Sequence, residues 1–192
     1  SIIIMARAIT FSRYFPAHHP KKGQPTLFVE KIWKSFAVRA LNEIFFYQPM
    51  VEDINDLNAH LSDYVLLSDF RKSLLANYGG SNNIEPKKHT IRKGKRWKVG
   101  DKFSPRVWSG RPYASKQIVI AKDMTIERVL DFEVDGLGFV YINGEYYNQI
   151  TQCDYLALND GLEKDDFASW FDGKHLPFSG QMLIWDDTDL IY

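Results

Sequence analysis

Lys87-Lys88-His89-Thr90-Ile91-Arg92, leading through Arg96-Trp97 to Gly100-Asp101, is the stretch that decides how this chain is read. It opens a basic segment. Residues 87–116 hold eleven Lys or Arg and one acid, Asp101, for a net +10. Residues 1–86 carry +1 and residues 117–192 carry −11, so the formal neutrality of the 192 residues hides a basic middle and an acidic last third. Cations interleaved with aromatic rings suit a partner made of phosphates and flat bases. The expected partner is therefore RNA or a nucleotide-like ligand. Arg92 is a candidate contact, followed by the Arg96-Trp97 pair, Arg106 with Trp108, and Arg111, Tyr113 and Lys116. Acids of the last third folding back on these cations would weaken such a footprint.

Downstream of Pro86 the apolar period is that of strands. His89–Arg92, Lys102–Val107, a bent or broken Gln117–Val134, Gly138–Ile142 and a closing Gln181–Trp185 are the expected strands. Asn143-Gly144 between Tyr141-Ile142 and Tyr146-Tyr147 signals a tight hairpin. Upstream, Ala6–Ser12 reads as a strand and Pro16–Pro25 as a polar loop. Pro25-Thr26 opens a helix with Phe28, Ile32, Trp33 and Phe36 on one face and Thr26 as its cap. Asn42–Tyr78 reads as one or two inserted helices, ended by Gly79-Gly80-Ser81-Asn82-Asn83. Glu163–Phe171 is a short helix with Phe167, Trp170 and Phe171 inward. The fold class is α+β: a small mixed β-barrel with flanking helices, one domain over residues 6–186 with 42–83 inserted.

The hydrophobic fraction, 45%, is enough to fill a core. No segment approaches the roughly 20 apolar residues of a membrane span, so no membrane partner is expected. Residues 1–5 read as a disordered start or a cloning remnant. The single cysteine, Cys153, excludes an internal disulfide and fits a cytoplasmic location. It reads as a partly buried small residue rather than a nucleophile. His18-His19 reads as a pair of solvated loop residues. With no Cys/His cluster and no phosphate-binding glycine loop, neither metal nor cofactor is expected.

Lys87-x-x-Thr90-Ile91-Arg92, a turn, then Gly100-Asp101 before a strand resembles the ASCH domain family of the PUA-like superfamily. Ile9-Thr10-Phe11-Ser12-Arg13, Phe28-Val29-Glu30-Lys31-Ile32, Arg106 through Tyr113, and Asn159-Asp160-Gly161-Leu162 agree with its larger bacterial and phage-type members. The likeness spans roughly residues 6–36 and 86–186 and leaves the insertion outside it. It implies a PUA-like barrel with an RNA-binding cleft. One small branch of the family hydrolyses the acetyl amide of acetylcytidine with a lysine, a threonine three residues on, and a distant glutamate. Carried onto this chain, those roles fall on Lys87, Thr90 and, near the glutamate's place, Asp160, which is one methylene shorter.

Amide hydrolysis needs a nucleophile, a group to carry its proton, and a stabiliser for the oxyanion. Thr90 offers an oxygen, but its hydroxyl needs an adjacent base. Lys87 serves as one only if its pKa falls toward neutrality, and the cations around it act in that direction while Asp160 opposes them. The bland alternatives are a strand threonine, a solvated lysine, and an N-cap or turn at Asp160-Gly161. Alternation puts Thr90 and Arg92 on one strand face, where Arg92 suits a phosphate or carboxylate. Three functions remain open: nucleotide or RNA binding, hydrolysis of an acylated nucleoside, and protein interaction through residues 42–83.

Overall fold

The computed structural model describes residues 6–29, 31–32, 34–35, 85–121 and 123–192. The insertion expected over 42–83, residues 1–5, Trp33 and Phe36 lie outside these described residues. The described strands form two sheets. In the first, β1 (Arg7–Phe11) runs parallel to β3 (Lys102–Trp108), which pairs antiparallel with β4 (Gln117–Val119) and β5 (Met124–Thr125). In the second, β2 (His89–Lys93), β9 (Phe178–Ile184), β6 (Arg128–Val134), β7 (Phe139–Ile142) and β8 (Glu145–Gln149) follow in that spatial order, all antiparallel. The α+β class holds; among the described residues no ladder joins the two sheets into the closed ring of a barrel.

Local chemistry explains the elements. Leu130, Phe132 and Val134 alternate inward along β6, the period of a half-buried strand. β9, flanked by β2 and β6, is buried continuously from Gly180 to Ile184, as a strand covered on both faces must be. Asn143 and Gly144 both take positive φ, 52° and 82°, which makes the β7–β8 connection a type I′ turn. The expected strand over 117–134 divides into β4, β5 and β6. Thr26 accepts from the Phe28 N–H at 3.3 Å ahead of the helical residues 28–29, 31–32 and 34–35, while its hydroxyl donates to Ser12 O at 2.7 Å.

Two short helices close the chain's second half: α1 (Asp154–Asn159) and α2 (Lys164–Trp170). α1 was not expected, and it corrects the N-cap reading of Asp160. Asp160 is the C-cap of α1, and the extended residue before α2 is Glu163. Gly161, at φ 76°, donates to Leu158 O, and Leu162 N–H donates to Ala157 O, the paired bonds of a Schellman motif. His19 also departs from expectation. It is buried and stacked 4.4 Å from Phe15 rather than solvated. The packed region runs past residue 186, since Leu190 and Tyr192 lie against the core.

Candidate functional site

β2 brings the opening motif to a cavity between the two sheets and α2. Its first residues are tied down by backbone bonds, Lys87 N–H to Lys31 O at 3.0 Å and Lys88 N–H to Asn159 O at 2.7 Å. Lys87, Thr90, Arg92 and Asp160 all line a cavity of about 120 Å³ with Thr10, Phe28 and the α2 aromatics Phe167, Trp170 and Phe171. Thr90 and Arg92 both line it, as does Ile91 between them, and the three carried-over positions border one cavity.

Lys87 is among the largest fully buried side chains of the described residues. Its Nζ donates to Asp160 Oδ1 and to Asp160 O, both at 2.6 Å, and sits 4.3 Å from the centre of the Phe28 ring. Burial pushes its pKa down; Asp160 pulls it up, and Arg92 and Lys31 push it down again, leaving it at about 8. The contest between cations and Asp160 is therefore decided mainly by loss of water, not by the neighbouring basic run. For Asp160 burial alone acts upward, but Lys87 and His89 outweigh it and hold the carboxyl below its ordinary range. The pair stands as ammonium and carboxylate.

Arg92 brings a second, half-buried charge to the site. Its Nη2 donates to Thr10 O at 2.8 Å, its guanidinium lies 5.2 Å from the Phe11 ring centre, and its Nε is buried without a hydrogen-bond partner. No carboxylate forms an ion pair with it among the described residues. Burial lowers its pKa to about 10, so it keeps its charge at neutral pH. Arg92 also lines a larger outer cavity of about 440 Å³ with Arg13, Tyr14, Trp108 and Tyr113. Thr10, Phe11, Ser12 and Arg92 border both cavities, so the two adjoin. Trp108 and Tyr113 rings meet there at 5.4 Å, and Tyr113 is 89% exposed at a positive φ of 62°.

The other expected contacts lie elsewhere. Trp97 is a core residue: one ring face carries the Arg7 guanidinium at 3.9 Å, and its backbone is locked to the Gln181 amide at 3.0 and 3.1 Å. It offers no platform for a base. Arg106 is engaged with Ser104 and Gln117. Arg96, Arg111 and Lys116 are exposed and line neither cavity. Cys153 is buried with its thiol pushed up to about 12, which suits a packing role. Part of the acidic third does fold back on the basic segment, through Lys87–Asp160 and Lys95–Asp131 at 2.7 Å.

Three participants escaped the sequence reading. His89 Nδ1 lies 3.4 Å from Asp160 Oδ1, without hydrogen-bond geometry, and burial lowers the ring's pKa. Phe28 roofs Lys87, and Lys31 Nζ donates to Gly161 O. His89 sits inside the motif itself; Phe28 and Lys31 sit in a stretch already matched to the family, but nothing local points them at Lys87. No helix of the described residues is long and apolar enough to cross a membrane. Comparison of the chain with protein-family models, with curated proteins and with solved structures gave no match.

Proposed function

We propose that this chain is a PUA-like domain of the ASCH type that binds a nucleotide-like ligand, free or within single-stranded RNA, in the two adjoining cavities, which act as compartments of one cleft. The observation that carries the reading is Arg92: a half-buried guanidinium whose Nε is buried without a partner and which forms no ion pair with a carboxylate among the described residues, set where the two cavities adjoin. A buried donor left without an acceptor is costly, and an incoming phosphate or carboxylate supplies an acceptor for Nε and a counter-charge for the guanidinium. The outer compartment, at about 440 Å³, is within the range of small-ligand sites. Its Trp108 and Tyr113 rings offer base stacking worth about 1–3 kcal/mol per base. Lys87 and Asp160 then offer a donor and an acceptor to the ligand's polar edge.

The test compares a nucleoside, its monophosphate and a short single-stranded RNA by calorimetry across salt. Wild-type affinity is expected to rise with the phosphate and to fall with salt in proportion to the phosphates contacted. Arg92→Gln is expected to bind nucleoside and monophosphate alike. Absence of binding by all three at low salt would overturn the reading.

Hydrolysis of an acylated nucleoside is the second reading, supported by Lys87, Thr90 and Asp160 lining one compartment. Both hydrogen bonds from Lys87 go to Asp160, so the amine must first shed a proton before it can take one from Thr90. Loss of water lowers the amine's pKa and so eases that step, while Asp160 opposes it. Under this reading acetylcytidine yields cytidine, and Thr90→Ala abolishes turnover; equal turnover in the variant rejects the role of Thr90.

A further inference from the structure

Where the chain leaves α2 lies a group of side chains that line neither cavity of the cleft. We propose that His18, Asp172 and His175 form a binding site for a divalent transition-metal ion of the zinc class. One ligand atom from each lies within 4.8 Å of the other two. The two imidazole rings lie 4.4 Å apart at 31°, and His175 Nδ1 is 2.7 Å from Asp172 Oδ1. Tetrahedral zinc, with bonds of about 2.0–2.1 Å, sets neighbouring ligand atoms about 3.3 Å apart. Binding therefore asks the three side chains to draw closer, and both histidines are exposed.

The two segments that carry the ligands are docked by contacts independent of the three residues. His19 Nδ1 accepts from the Lys21 N–H at 3.0 Å, which leaves its Nε2–H to donate to Asp166 O at 3.1 Å. Lys21 Nζ adds a bond to Asp166 Oδ2 at 2.7 Å. Phe15 and His19 both pack on Trp170 at 5.8 Å. The loop bearing His18 is thereby fixed to α2, and the chain leaving α2 delivers Asp172. A turn, His175 N–H to Asp172 O at 2.8 Å, then brings His175 back beside it. Nothing in this docking requires an imidazole at either exposed position, 18 or 175. Preorganisation of this kind lowers the entropy lost on binding an ion.

The donor set decides the class of ion. Two imidazoles and one carboxylate suit zinc, iron or nickel, whereas magnesium and calcium select oxygen. Three protein ligands leave a coordination position for water or an added ligand. An ion here joins the loop containing Pro16, which borders the outer compartment, to the chain that follows Trp170 and Phe171, which border the inner one. The site stands whether or not the cleft binds a nucleotide.

The experiment uses tag-free full chain, stripped with chelator and titrated with zinc chloride by calorimetry, with cobalt absorption as a second readout. One equivalent is expected to bind saturably and to raise Tm. His18→Ala, Asp172→Asn and His175→Ala are each expected to weaken binding by at least about tenfold. Lys22→Ala, exposed on the same loop, is expected to bind as wild type. Metal-free melting of each variant separates ligand loss from unfolding. No saturable zinc binding, or binding retained in the His18→Ala/His175→Ala double variant, overturns the proposal.

Discussion

Lys87 and Asp160 act as one unit, and neither charge is tolerable alone. Breaking a buried pair from one side costs about 3–5 kcal/mol, because the survivor stays desolvated. Asp160→Asn and Lys87→Met are each expected to cost that much, while the double variant costs clearly less than their sum. Urea unfolding of the four proteins as a double-mutant cycle measures the coupling; strictly additive costs would show that the pair does not interact. The convergence at this site was legible in the Lys-x-x-Thr spacing and in the acid carried over from afar. The burial of Lys87 was not. A lysine amid cations reads as solvated, and its shelter comes from Phe28 and from an acid 73 residues along the chain. Trp97 misled for the same reason in reverse: the basic run around it is at the surface, but its own ring turns into the core.

At the scale of elements, two glycines hold the cleft in shape. At Gly161, φ is 76°, and a Cβ would meet Lys31 Cδ at 3.1 Å and Lys87 Cβ at 3.2 Å. Gly161→Ala is expected to cost about 1–2 kcal/mol from the left-handed backbone alone, and more from displacing the lysine stems. At Gly180 a Cβ would fall 2.2 Å from Arg92 O, a backbone atom of the adjacent strand. Gly180→Ala must push β2 away from β9, and a loss of about 1–3 kcal/mol or more is expected. Gly173→Ala, facing open space, is the control and should change the denaturation midpoint little. Equal midpoints for all three variants would refute this account. Long alternating runs and the Asn-Gly turn made most strands readable in advance. α1 was missed because Asp154–Asn159 is under two turns and has no side-chain cap, and its C-terminal glycine looked like the entrance to the next helix.

Across the whole molecule the charges sort by depth rather than by sequence. Lys95 is paired at the surface and Lys87 in the interior, while Lys93, Arg96 and Arg111 face solvent. The buried groups make stability depend on pH. Burial holds His89 below its ordinary value of 6.5, so the folded protein keeps it neutral. The unfolded chain takes up that proton as pH falls through 6.5, so the contribution is full above this value and declines below it. Asp160, held below its ordinary 3.8, adds a second loss as the pH falls further, through its folded value. Urea midpoints measured from neutral pH down to about pH 5 should fall for wild type and fall less for His89→Gln. Identical slopes would remove His89 from the explanation.

β9 is the last of the described strands to leave the ribosome, yet it lies between β2 and β6 and bonds to both. Among the described residues β2 has no other strand partner. During synthesis, therefore, the segment that carries Lys87, Thr90 and Arg92 must wait, its ladder groups open to chaperones or to misplaced strands, until residues 178–184 have emerged. The cleft is assembled only after translation of the strand that closes it, and slow codons or nascent-chain partners upstream of that point act on a molecule that does not yet have a site.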